Sequence, residues 1–172
     1  MENIEKLAAA LRLKIKKKKN NEVIEVIEKY GIDLVIQDIG TVLNVACLFE
    51  NWELASYCIK HGADVNHRDI EESTAIIHAA KYGNKDLVEL LIEAGADINV
   101  QNKYGKTALA KAISNNRTNY ELIELLLQNG ADSTIQENYM KDDPRVKSHN
   151  AYDYAISEIK DTKLTELLNR YK

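Results

Sequence analysis

Any chemistry in this chain has to come from a handful of side chains. Cys58, His61 and His67 fall close together, and a thiolate with two imidazoles is a zinc-binding combination. Their placement argues against it. Cys58 lies on the apolar stripe of a helix, His61 at that helix's end, and His67 on the turn arm that follows. Residues facing apart make a poor tetrahedral site, so neither a metal nor any other cofactor is expected. Asp64, Asp97 and Asp132 look like a carboxylate series. Each follows a helix-ending Gly-Ala, however, and a turn aspartate bonds its own backbone. The chain has no glycine-rich phosphate loop, no Gly-x-Ser-x-Gly and no His-Glu-x-x-His. The expectation is a protein that is not an enzyme. Lys16 to Lys19 read as the solvated end of a helix, where lysine suits the dipole. A nuclear address or a contact to an acidic partner is the alternative for that run.

The elements that carry these residues recur at a fixed step. Gly62-Ala63-Asp64-Val65-Asn66 returns 33 residues later as Gly95-Ala96-Asp97-Ile98-Asn99. Gly31-Ile32-Asp33 precedes the first copy by 31 residues, and Gly130-Ala131-Asp132 follows the second by 35. Thr41, Thr74 and Thr107 keep the same 33-residue step, each able to cap a helix. After each threonine comes a short apolar helix, as in Ile76-Ile77-His78-Ala79-Ala80, then a turn at Gly83-Asn84. A second apolar helix follows, here with Leu87, Val88, Leu90 and Leu91, stopped by glycine. A turn phrase with two helices at this period marks a solenoid, whose units bury their faces on one another. Near the N-terminus a helix over about residues 3–18 is expected, with Leu7, Leu11 and Ile15 or Leu13 inward and Asn20-Asn21 turning the chain. Residues 137–149 hold the only proline and more residues than the turn needs, so they read as an exposed loop open to trypsin.

Composition fits this picture. Of 172 residues, 45% are hydrophobic and 29% charged, ordinary for one packed domain. A net charge of -4 disfavours nucleic acid as a partner. No apolar run approaches a membrane span, and the first residues lack a signal peptide's order, so no membrane association is expected. Two cysteines make no disulfide framework. The expected setting is reducing and cytoplasmic.

These phrases resemble the ankyrin repeat. The resemblance implies an all-α solenoid of four to five helix–turn–helix units with protruding β-turns, filling residues 1–172 as a single domain. The units fall at about 1–38 (an end cap), 39–71, 72–104, 105–138 and 150–172 (a second cap), with 137–149 inserted. Two departures stand out. The family's Thr-Pro-Leu-His has Val42, Ala75, Ala108 and Ala151 in place of proline. Its histidine, which links neighbouring turns, is Asn44, Ile77, Ala110 and Asp153. Without that histidine the polar stitching between turns is expected to be weaker.

The resemblance also implies a concave groove, lined by turn tips and first helices, that binds another protein. Carried over position by position, the tips supply Gln37 and Asp38, then Arg68, Ile70 and Glu71, then Gln101, Lys103 and Tyr104. The first helices supply Leu48 and Phe49, Lys81 and Tyr82, Ser114 and Asn115, with Trp52 at the edge. For Leu48, Phe49 and Trp52, burial against a neighbouring unit is an equal reading. Tyr82 and Tyr104 are expected at the centre, bordering one groove. The expected function is non-catalytic protein binding by a monomer, through blocking or scaffolding. The alternatives are an immunity or inhibitor protein that neutralises a toxin, a host-directed effector, and, less favoured, a metal- or ligand-binding enzyme.

Overall fold

A computed structural model provides the structure and describes residues 2–36, 39–114, 119–137 and 150–171. The helices pair in chain order. The pairs are α1 (Glu2–Lys16) with α2 (Asn20–Tyr30), α3 (Val42–Leu48) with α4 (Trp52–Lys60), and α5 (Ala75–Lys81) with α6 (Lys85–Glu93). They continue as α7 (Ala108–Ser114) with α8 (Tyr120–Gln128), and α9 (Ala151–Tyr154) with α10 (Thr162–Arg170). Between α9 and α10 the chain widens into a π turn at Ala155–Ile159. First helices stack in one layer, α3 on α5 on α7 on α9, and second helices in another, α4 on α6 on α8 on α10. The all-α solenoid expected from the period is therefore the observed architecture. The turns carry no strand ladder among the described residues, only an isolated antiparallel bridge between Val35 and Thr41.

Small residues let the first helices approach closely. Ala46, Ala79, Ala80 and Ala112 are buried at the seams between units. The second helices bury one stripe each, such as Leu87, Val88 and Leu91 on α6. Removing a side chain of that size from water contributes about 1.5–3 kcal/mol. Every second helix from α4 onward opens with a side-chain cap. Asn51, Asn84 and Asn119 accept from Leu54, Leu87 and Leu122 N–H at 3.3, 3.0 and 3.1 Å. Asp161 does the same for α10 at 3.0 Å. Helices α6 and α8 end at Gly95 and Gly130, whose φ of +87° and +88° is the left-handed stop that glycine adopts without strain.

The missing histidine stitch is replaced by asparagine. Asn66 Nδ2 donates to Gly95 O at 3.0 Å, and its Oδ1 accepts from Asp97 N at 2.8 Å. Asn99 repeats both bonds one unit on, to Gly130 O at 2.9 Å and from Asp132 N at 2.9 Å. Asp33 makes the matching contact at the first junction, accepting from Asp64 N at 2.8 Å. Asp64, Asp97 and Asp132 each accept from a backbone N–H two residues on, at 2.9, 3.0 and 2.8 Å. They are turn residues.

Several expectations are corrected. Helix α1 ends at Lys16, and the left-handed residue after it is Lys18, with φ +56°. Asn20 instead starts α2, and its Oδ1 accepts from Asn51 Nδ2 at 2.7 Å. Leu13 is 52% exposed while Leu11 and Ile15 are buried. Thr74 does not cap α5, and its buried hydroxyl has no partner. Thr41 and Thr107 do cap, accepting from Asn44 N at 3.4 Å and Ala110 N at 3.2 Å. Glu137 is buried with its carboxylate bonded to Lys106 Nζ, so it belongs to the fourth unit's turn. The rest of the expected loop, 138–149, lies outside the described residues.

Candidate protein-binding face

Each turn tip is built around one side chain that ties down the backbone. Asp69 Oδ1 accepts from Glu71 N and Ser73 N, both at 2.8 Å, and Asp69 N donates to Ser73 O at 3.0 Å. Its second oxygen lies 2.6 Å from His78 Nε2 on α5. A carboxylate only accepts, so Nε2 carries the proton. One unit later Asn102 occupies the same place. Its Oδ1 accepts from Tyr104 N and Lys106 N, both at 3.0 Å, and its Nδ2 reaches back to Ser73 Oγ at 3.1 Å. The tips are thus closed loops fixed to each other and to the first helices.

On these tips the expected binding residues gather. Ile70 is 60% exposed. Arg68 NH1 donates to Glu72 and, across the junction, to Gln101 O, at 3.3 Å each. Glu71 pairs with Lys103 at 2.8 Å, and Lys103 N donates to Glu71 O at 3.0 Å. Lys103, and after it Tyr104, holds the Glu71 carboxyl below the usual carboxylate range. Glu71 in turn raises both Lys103 and Tyr104. Gln101 is committed to the frame, its Nε2 donating to Gly105 O at 2.7 Å and Gln136 O at 2.8 Å.

Tyr82 belongs to a different neighbourhood. It follows the C-terminus of α5, whereas the tips adjoin the N-terminus. Seven residues at 1.5 Å each separate the two ends by about 10 Å. The Tyr82 ring lies 6.0 Å from that of Trp52, centroid to centroid, and its hydroxyl donates to Leu48 O at 3.4 Å. Lys81 Nζ sits 4.9 Å from the same ring. Tyr82, Trp52 and Leu48 therefore form one half-buried group at the seam of the second and third units. Trp52 also borders a groove between α4 and α6 on the second-helix side, with Glu53, Ser56 and Leu90. Phe49 turns toward α1, with Arg12 and Lys16 at 5.8 and 5.7 Å from its ring centroid. Ser114 is exposed and donates to Lys111 O at 3.4 Å. Asn115, Gln37 and Asp38 lie outside the described residues.

The thiols and imidazoles disperse as well. Cys47 and Cys58 are buried, and burial pushes Cys58 up to about 12 and Cys47 further still. His61 stacks on Tyr57 at 3.9 Å with its Nδ1 2.8 Å from Tyr57 O. Among the described residues, no three metal-ligating side chains converge, and no helix is long and apolar enough to cross a membrane. His78 and Lys111 escaped the sequence reading. Comparison of positions 33 apart could have found them, since Asp69 and His78 become Asn102 and Lys111.

Similarity to known proteins follows the same units. A family model described as ankyrin repeats, three copies, matches residues 11–102 and 43–137. The human protein "Ankyrin repeat and SOCS box protein 6" is 34% identical over 95 residues, which is 52% of this chain and 23% of that protein. "E3 ubiquitin-protein ligase Ufd4" of Drosophila melanogaster is 35% identical over 100 residues, 57% of this chain and 4% of that protein. "Putative ankyrin repeat protein FPV031" of fowlpox virus is 31% identical over 97 residues, 54% of this chain and 28% of that protein. The matched segment thus spans less than a third of each of these relatives. With the family model covering most of the chain on the units that the stacked helix pairs define, the chain belongs to the ankyrin-repeat family.

Proposed function

We propose that the face made by the first helices and the turn tips binds a segment of another protein, without catalysis, and acts by blocking or scaffolding. Ankyrin repeats in general are protein–protein interaction modules and typically non-catalytic. In this reading the chain works as a monomer in the cytoplasm, on one continuous surface. The observation that carries it is the hydrogen bonding that closes each tip on its own backbone. Asp69 and Asn102 fix the backbone from within, so the exposed Ile70 and the neighbouring Tyr104 are held out before any partner arrives. Side chains ordered in advance lose little freedom on binding, which favours affinity. Arg68, Glu71 and Lys103 then serve as a polar rim, setting specificity and on-rate more than affinity.

Affinity purification from the native cell with mass spectrometry supplies the partner. Ile70→Ala and Tyr104→Ala are then expected to weaken binding by roughly tenfold each while leaving the melting temperature in place. Tyr82→Ala should instead lower the melting temperature, because Tyr82 is packed against Trp52. Glu89→Ala and Glu124→Ala, on second helices, should leave binding unchanged. Loss of binding on those two, with none at the tips, would move the surface to the second-helix side.

A further inference from the structure

The third and fourth units differ along the face, and one of the differences is a change of buried charge. His78 on α5 and Asp69 on the turn tip before it form a closed pair with side chains 8% and 5% exposed. Thirty-three residues on, Asn102 stands for Asp69 and Lys111 for His78. The carboxylate has gone, and the imidazole has become an ammonium. Lys111 is half-buried on α7. Lys81 at the end of α5 and Lys106 on the tip are the cations that face it. The carboxylates that face it are Glu137 and Glu71. Both have cations of their own, Glu137 with Lys106 and Glu71 with Lys103 at 2.8 Å. Among the described residues no carboxylate comes within ion-pair distance of Lys111. Burial, and after it Lys81 and Lys106, holds the Lys111 ammonium below the usual lysine range. A partly desolvated cation beside other cations costs folding free energy unless a counter-charge arrives.

We propose that the partner presents an acidic segment to this face, with an Asp or Glu carboxylate seated at Lys111. The inference rests on the protein-binding reading above and narrows it to one ligand chemistry. The incoming carboxylate supplies to Lys111, from outside, the acceptor that Asp69 supplies to His78 one unit earlier, the place of Asp69 itself being filled by Asn102. The net charge of -4 disfavours a polyphosphate strand, which would gain at three lysines and be repelled elsewhere. An acidic peptide of a few residues meets only the surroundings of Lys111, where Glu137 and Glu71 are already paired with Lys106 and Lys103.

The test uses the full chain and a displayed library of random peptides, with a single-stranded DNA 20-mer as a second probe. The expected result is enrichment of peptides rich in Asp and Glu. Their affinity should fall roughly tenfold or more on Lys111→Gln, and likewise when their acids are changed to Asn and Gln. Asn102→Asp should also weaken them, because it rebuilds the internal carboxylate of the third unit. The melting temperature of Lys111→Gln should equal or exceed that of the parent, so lost binding is not lost folding. The Lys111 ammonium should titrate higher in the complex than alone by nitrogen NMR. Enriched peptides that are neutral, or indifferent to Lys111→Gln while sensitive to Ile70→Ala, would overturn this inference and leave the protein-binding reading standing. Peptides sensitive only to second-helix substitutions, or no enrichment at all, would overturn both. Tighter, Lys111-dependent binding of the DNA strand would replace the acidic peptide with a phosphate backbone and so overturn the proposal.

Discussion

Residues 74–100 fold as residues 107–114 and 119–133 do, and the two units present different surfaces. Both units open with a threonine and a seven-residue helix, cap a nine-residue second helix with asparagine, and turn at a left-handed glycine. Asn66 and Asn99 lead into them through the same pair of bonds, about 3 Å long. At the groove they part. The third unit's His78 is closed by a pair with Asp69, while the fourth unit's Lys111 has Lys81 and Lys106 about it and no carboxylate within ion-pair distance among the described residues, Glu137 and Glu71 being paired with other lysines. What repeats is the backbone frame. What varies is the side chain at a given position of that frame, as Asp69 and His78 give way to Asn102 and Lys111. A stack can therefore keep its architecture while its surface changes unit by unit.

The strongest way to break the equivalence of frames is to put a charge into both seams. Ala79 and Ala112 occupy matching sites with 0% and 2% exposure. Ala79→Glu and Ala112→Glu should each cost several kcal/mol, roughly 3 or more, because an unpaired charge is buried. Urea unfolding measures both, and tolerance of one but not the other would show that the two seams are packed differently. The tip residues sharpen the contrast at smaller scale. Asp69→Ala removes the acceptor of two backbone N–H groups and strands the His78 ring, for about 1–3 kcal/mol. Asn102→Ala removes two N–H acceptors but strands no ring, so its loss should be the smaller of the two. The smallest effect separates the threonines. Thr107→Val deletes a helix cap and should cost about 1 kcal/mol. Thr74→Val replaces a buried hydroxyl that has no partner, and the melting temperature should stay level or rise. Equal losses at both would mean that Thr74 caps its helix in solution.

The frame was legible in the sequence because its determinants are local. Gly95 and Gly130 end helices by their own φ, and Asp97 and Asp132 bond N–H groups two residues away. The alternation of apolar stripes gave the inward faces, such as Leu54, Ala55, Cys58 and Ile59 on α4. The face was harder to read because it depends on contacts between units. Nothing local says that the Tyr82 hydroxyl reaches Leu48 O, 34 residues back. The resemblance implies one groove for Tyr82 and Tyr104, and the structure puts Tyr82 after the C-terminus of α5 and Tyr104 before the N-terminus of the neighbouring α7. Thr74 has the same type and repeat position as Thr107, and only its surroundings leave its hydroxyl unpaired. The Asp69–His78 pair spans nine residues, a spacing that no motif marks.

The asparagine junctions bear on how such a chain grows. Asn66 offers one donor and one acceptor to whatever glycine and aspartate follow it, and Asn99 offers the same. A copy of residues 67–99 inserted in frame after Asn99 would meet a compatible edge on both of its sides. Duplication at this point is therefore structurally silent, and a longer gene product would fold without a new invention at the joint. An inserted variant that melts at or above the parent's temperature would bear this out, and one that aggregates would not. The pair of bonds works as a connector of fixed polarity, and a gene that carries it can lengthen its stack by copying alone.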